Sequence, residues 1–392
     1  MALFPQERRI IIAGAGYAGL HAAAVLASAI PRSAPVRVTL LSEDDFFTDR
    51  CRLHELCVRG AKVRYALSPL FAGTCVEVER VRLREVDTSL GLVVCDGPSH
   101  EYELPFDDLF LATGSAIATY GIPGAAEHAW PLSRFEDAER IRGVFDALAG
   151  GARMIVAGGG LTGVELSAEM AFTAREQGRE LSIELVEGAP RILPSAREEA
   201  AEYCSKKLGA LGVKIRAGCK VLEVKAGALE VDSGGGGKSL PADLLVWCAG
   251  IKARFPAGIG PGNLPGGRLA VEDDLSLPGD ARILLGGDVA AFAPSGEKGP
   301  LLQRAMWAVQ MGEYAGKVLS ARALGQEPPK LPQFVNKGEL VSLGRRDGWG
   351  FAKVAGRDQI LTGFPAALLK EAALAYHLWA ITGRTGVAPL AK

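Results

Sequence analysis

A chain of 392 residues has room for two or three domains, and its 44 Lys and Arg against 45 Asp and Glu leave a formal net charge of −1. That balance excludes a basic field for nucleic acid and an acidic solvating tail. A hydrophobic share of 48% with 49 glycines describes a folded, turn-rich α/β chain, and seven cysteines without zinc-like spacing fit a reducing cytoplasm better than a secreted disulfide scaffold.

Arg8 and Arg9 precede IIIAGAGYAGLHAAAVLASAI, a basic start and apolar run that imitates a secretory signal. Gly14, Gly16 and Gly19 argue for something else. Residues 9–13 read as a buried strand, a helix follows from about Tyr17 to Ile30, and the strand VRVTLLSE at 36–43 ends on Glu43. In this spacing the first glycine permits a tight turn, the second lets a pyrophosphate approach the backbone, and the third lets helix and strand pack closely. The amides of Tyr17 and Ala18 at the helix start then face the phosphates, and Glu43 accepts from a ribose.

The next stretch, FFTDRCRLHELCVRG at 46–60, places Thr48 or Asp49 as a cap before a helix over 50–58. On that helix Cys51 and Cys57 point about 120° apart and are separated by about 9 Å of rise. A disulfide needs Cα atoms within about 7 Å, so the two are not a redox pair. Cys51 alone, in a first turn between Arg50 and Arg52, has surroundings that favour a thiolate; a small residue packing near a cofactor accounts for it equally well. LFLATGSA at 109–116 reads as a strand ending on Thr113 and Gly114.

A second copy of the first device follows. ARMIVAGGGLTGVELSAEMA carries Gly158, Gly160 and Gly163, with Leu161 and Thr162 opening the helix, and LSIELVE ends on Glu187. Glu187 follows Gly158 by 29 residues, the separation of Glu43 from Gly14. One glycine motif is weak evidence, whereas two with matching strand, helix and acid are strong. Two dinucleotide sites imply electron transfer between two cofactors, FAD and NAD(P)H. ARILLGGDVAAF at 281–292 is a further strand ending on Gly287 and Asp288, the latter placed to bond a polyol hydroxyl. The expected fold is α/β, with two Rossmann-like dinucleotide-binding domains and a small C-terminal domain. As in flavoproteins with two dinucleotide-binding domains, which this arrangement resembles, the FAD domain would span 1–121 and 248–317, the NAD(P)H domain 122–247 and the last unit 318–392, with SGGGGK at 233–238 a hairpin turn.

With both glycine motifs, ATG and GGD in place, the chain resembles the type II NADH dehydrogenases, single-chain FAD enzymes that reduce quinones. VEGAPRILP at 186–194, LVWCAG at 245–250, AMWAVQMGEYAG at 305–316 and SLGRRDGWGFA at 342–352 extend the likeness over nearly the whole chain. The resemblance implies that Glu165 lies beside the stacked nicotinamide and flavin, that Leu83 contacts adenine, and that Gly250 borders NADH. Glu187 would favour NADH over NADPH by repelling a 2′-phosphate, with Arg191 nearby. The amides of Ala305 and Met306 would support the reduced flavin. The family's acceptor helix reads A-Q-x-A-x-Q-Q-G; here Met306 and Met311 replace two glutamines and Gln310 remains. Gln310 is then the amide expected at the quinone, with His54, Met306, Trp307 and Met311 around the acceptor and Arg52 beside the FAD. No metal site is implied.

The last helix, GFPAALLKEAALAYHLWAITG at 363–383, places Lys370 and His377 on one line and leaves a broad apolar face with Leu368, Leu369, Tyr376 and Trp379. Peripheral contact with the cytoplasmic face of a membrane and homodimerisation are the two uses expected of it. The expected activity is hydride transfer from NADH to flavin and on to a quinone-like acceptor. Three alternatives stay open: a reductase of a soluble aromatic metabolite, a single-cysteine oxidase or peroxidase, and a non-catalytic NADH-sensing flavoprotein.

Overall fold

The computed structural model describes residues 7–385 apart from 98, 295–298 and 355–356. Five helices frame the site: α1 Tyr17–Ala29, α2 Leu53–Arg59, α3 Leu161–Glu176, α4 Ala305–Ala323 and α5 Phe364–Thr385.

Two sheets of mainly parallel strands carry the chain. In the first the order is Ser276–Leu277, Asp280–Leu285, Asp108–Leu111, Arg8–Ala13, Val36–Ser42, Val76–Arg80. All neighbours run parallel except the short edge strand Ser276–Leu277. The second sheet orders Trp130–Pro131, Leu244–Trp247, Arg153–Ala157, Ser182–Val186 and Lys214–Arg216, all parallel. Parallel strands are covered on both faces and therefore read as unbroken apolar runs. Ile10, Ile12, Leu109, Phe110 and Leu111 in one sheet, and Val156 and Val246 in the other, are fully buried accordingly.

The strand carrying the first glycine motif sits between Val36–Ser42 and Asp108–Leu111, and the strand carrying the second between Ser182–Val186 and Leu244–Trp247. Each glycine loop thus leaves the C-terminal edge at a point where strand order reverses, the place where doubly wound sheets bind ligands. Between the sheets, Ser115–Ile117 pairs antiparallel with Ile251–Ala253, so the outgoing and returning segments run side by side. The glycine-rich turn near 235 is a hairpin, with Asp232 paired to Gly237.

One expectation is corrected at the level of elements. Residues 50–52 form a single 3₁₀ turn, and α2 begins at Leu53; Cys51 therefore precedes the α-helix instead of lying in its first turn. In α5 the polar residues face inward: Lys370 and His377 are buried, while Phe364, Leu368, Tyr376 and Trp379 are exposed. Among the described residues no helix is long and apolar enough to cross a membrane.

Candidate active site

Two cavities share Gly16, Arg50, Ala112 and Gly114 as common walls and run end to end along the first glycine loop. One, of about 590 Å³, is bounded by Gly14, Gly16, Glu43, Leu83, Thr113 and Gly114. The glycines behave as their spacing predicts. Gly14 has φ +109°, reserved in practice for glycine, and a Cβ on Gly19 would strike the Gly14 carbonyl. A Cβ on Gly16 would meet nothing within 4 Å, because it points into the open trough. Thr113 donates its hydroxyl hydrogen to the Arg254 carbonyl, tying the outgoing chain to the returning one. Glu43 pairs with Arg254, and Arg82 and Arg134 approach it at 3.8 and 3.9 Å.

The second cavity, of about 450 Å³, receives the N-termini of three helices: Tyr17 and Ala18 of α1, Leu161 and Thr162 of α3, Ala305 and Met306 of α4. Unpaired first-turn amides make each of these ends electropositive. Asp288 lines the wall and accepts from Ser115 Oγ at 2.6 Å, while Arg50 reaches the same hydroxyl at 3.3 Å. Tyr17 donates to Asp49, a fully buried carboxyl pushed above its usual range by burial.

The second glycine loop repeats the first closely. Gly158 has φ +110°, a Cβ on Gly163 would strike the Gly158 carbonyl, and Gly160 faces open space. Glu187 folds back to accept from the Gly159 and Ala189 amides, each at 2.7 Å. Arg191 spends its guanidinium on the carbonyls of Leu193 and Ala196, at 2.7 and 2.8 Å. Gly250, at φ +149°, lies against the Tyr120 hydroxyl.

Glu165 stands at the inner wall of the second cavity, on α3. It pairs with Lys370 of α5, accepts from the Ser342 amide at 3.0 Å, and lies 3.7 Å from His54 Nδ1. Lys370 and Glu165 are 7% and 6% exposed, so the pair is held out of water. Burial, with Lys370 close by, pushes His54 well below the ordinary histidine range and leaves it neutral.

Several expected residues lie elsewhere. Gln310 donates to the Val335 carbonyl at 3.0 Å and accepts from the Val335 amide at 2.8 Å; its amide is used up on the chain beside it and lines neither cavity. Trp307 and Met311 are buried in the core under the first sheet, with the Met311 sulfur accepting from the Gly287 amide at 3.3 Å. Arg52 bonds Glu55 at 2.7 Å and lines neither cavity; its neighbour Arg50 lines both. His54 and Met306 do face the second cavity. Cys51, an exposed residue, opens onto it too, but its sulfur is desolvated among the wall residues, and this, followed by Asp49, pushes the thiol up to about 12. Arg50 and Arg52 turn to Ser115 and Glu55 instead, so the expected thiolate is not supported. Cys57 is buried, and both cysteines are free.

Sequence reasoning missed Arg50 as a wall residue and Ser342 as a partner of Glu165. For Lys370 a signal existed, a lone cation inside an apolar helical run, but helical periodicity does not say which face turns inward.

Comparison with known proteins agrees with this geometry. The family model described as pyridine nucleotide-disulphide oxidoreductase matches residues 8–312. A type II NADH:quinone oxidoreductase of Staphylococcus epidermidis is 27% identical over 388 residues, covering 93% of this chain and 94% of its own, and one from Staphylococcus aureus is 27% identical over 386. Among solved structures, Plasmodium falciparum NDH2 in complex with NADH superposes with a TM-score of 0.82 at 17% identity, over 97% of both chains. The sulfide:quinone oxidoreductase of Aquifex aeolicus gives 0.81 at 17% identity, over 96% of this chain and 92% of its own. With paired glycine cradles opening on one trough and a family match spanning most of its length, the chain belongs to the pyridine nucleotide-disulphide oxidoreductase family.

Proposed function

We propose that this protein is an FAD-dependent NADH:quinone oxidoreductase. The observation that carries the reading is the convergence of the two dinucleotide loops: the N-termini of α1 and α3, one from each sheet, open onto the same cavity. Two adenine dinucleotides bound at those loops bring their reactive rings together there. The relatives of near-equal length, named type II NADH:quinone oxidoreductase, support the same activity.

The residues fit FAD in the first trough. Gly16 leaves room for a pyrophosphate, Glu43 accepts from a ribose, Leu83 borders the adenine, and Asp288, oriented by Ser115, bonds the ribityl chain. NADH takes the second loop, with Glu187 on its ribose. The Glu187 carboxylate disfavours a 2′-phosphate, and Arg191, bonded to backbone, does not offset it. When bound, the flavin supplies the chemistry of taking two electrons from NADH and passing them to the acceptor. The chain aligns the rings, excludes water through α5, and directs the α4 amides at Ala305 and Met306 toward the flavin edge, where negative charge grows on reduction. Glu165, fixed by Lys370 and Ser342, borders the nicotinamide. A quinone enters beside His54 and Met306, with the Leu340 and Leu374 side of the cavity offering an apolar wall.

The exposed apolar face of α5, with Phe364, Leu368, Tyr376 and Trp379, suits contact with the cytoplasmic membrane surface, where quinones partition; pairing with a second copy is the other use of that face.

The test is a stopped-flow experiment on the purified yellow protein without oxygen. NADH is expected to bleach the flavin band rapidly, and a soluble quinone to restore it. A flavin that stays oxidised under excess NADH overturns the proposal.

A further inference from the structure

Four elements meet at Ser342. Its hydroxyl lies 3.1 Å from Lys370 Nζ and 3.2 Å from His54 Nε2, and its amide donates to Glu165 Oε1 at 3.0 Å. The residues come from α5, α2 and α3, and Ser342 itself closes the strand Gly338–Ser342 of the C-terminal sheet.

Donor inventory decides where the hydrogens sit. A lysine ammonium donates and never accepts, and Lys370 is an ammonium because it is ion-paired to Glu165. The Ser342 oxygen therefore accepts from Lys370. Its own hydrogen then has one partner left, the lone pair of His54 Nε2. A neutral imidazole with Nε2 accepting carries its hydrogen on Nδ1, and His54 Nδ1 faces Glu165 Oε2 at 3.7 Å. Glu165 Oε1 is then addressed by two donors, Lys370 and the Ser342 amide, while Oε2 lies 3.7 Å from His54 Nδ1. The charged groups facing His54 are Glu55 at 3.9 Å and Arg59 on its own helix, Arg52 in the preceding turn, Glu165 from α3 and Lys370 from α5.

We propose that Ser342 is a positioning residue, whose hydroxyl fixes His54 in the Nδ1–H tautomer and holds Lys370 aimed at Glu165 on the wall of the active cavity. Neither Ser342 nor His54 needs to touch the reacting atoms. The kinetic consequence rests on the function proposed above; the tautomer does not. Removing the hydroxyl frees the imidazole to protonate either nitrogen and takes one acceptor from Lys370.

The experiment uses the full-length FAD-loaded protein labelled with ¹⁵N-histidine, the His54 signals being assigned by their loss in His54→Gln. The wild type is expected to show Nδ1 protonated and Nε2 unprotonated through the neutral pH range. Ser342→Ala is expected to mix the tautomers and to slow quinone reduction about fivefold, the worth of one hydrogen bond of about 1 kcal/mol. Ser342→Thr, which keeps a hydroxyl, restores both. Protonation of Nε2 in the wild type overturns the inference without any variant. A tautomer and a rate of quinone reduction that are both unmoved in Ser342→Ala overturn it as well. Should NADH fail to reduce the flavin while the tautomer is found as stated, the proposed function fails and the hydrogen-bond assignment stands.

Discussion

At Glu165 a carboxyl group is taken out of water and held by two donors from different parts of the chain, Lys370 and the Ser342 amide, with His54 3.7 Å away. Removing one partner of a buried ion pair strands the other, which costs about 3–5 kcal/mol. Lys370→Met is therefore expected to lower stability by about 3 kcal/mol and to slow quinone reduction more than tenfold. Denaturant titration and stopped-flow together check it. Gln310→Ala is the contrasting case. Its amide holds the Val335 backbone outside the cavity, so the KM for quinone should change less than twofold; a tenfold rise would return Gln310 to the acceptor site. Glu165 was assigned by the resemblance, and the structure sets it on the wall of the second cavity. Gln310 was assigned by the family's pattern alone, and a side chain on a helix wall can turn to either neighbour.

Among elements, α5 has the least ordinary design. Lys370, His377 and Arg384 recur every seven residues on one face, and each meets a polar partner on another helix: Glu165 of α3, His21 of α1 and Glu313 of α4. The helix docks through a polar seam with Ile381 as a deep apolar anchor, and leaves large hydrophobic residues outside. His21 and His377 bond at 2.9 Å, and burial, followed by His21, lowers His377 to about 3. The sign follows from linkage. An unfolded histidine binds its proton near pH 6.5, whereas folded His377 resists until about pH 3. The unfolded state holds the extra proton between those values, so stability falls as pH falls through that window, by about 1.4 kcal/mol per unit. From pH 6.5 to 5 the loss should reach about 2 kcal/mol, and His377→Gln should remove that part of the slope in denaturant titrations. An unchanged slope would show that the pair does not stay neutral.

On the scale of the whole molecule, the two cradles are built alike but serve separately, and a substitution can show it. Gly163→Ala drives a methyl group into the Gly158 carbonyl, a backbone atom that cannot rotate away. The variant is expected to remain yellow, because the first cradle is untouched, and to lose at least a hundredfold in its rate of reduction by NADH. Loss of colour together with reduction would mean that the sheets do not fold independently at that level.

What the sequence determined by itself was whatever local stereochemistry dictates: two strand–glycine–helix units, their acids at equal spacing, the returning Asp288 strand, and hence the α/β architecture and the pairing of two dinucleotides. The φ near +110° at Gly14 and Gly158 and the close backbone approach at Gly19 and Gly163 tolerate only glycine, so those positions are written plainly in the chain. Tertiary structure alone decided the direction of side chains on helices. It turned Lys370 and His377 inward, sent Gln310 to the backbone, replaced Arg52 by Arg50 at the trough, and raised the thiol of Cys51 where charge counting expected the reverse. The physical reason is one of range: a turn's geometry is set by neighbours in sequence, whereas burial, ion pairing and helix facing are set by residues brought from as far as Glu165 is from Lys370.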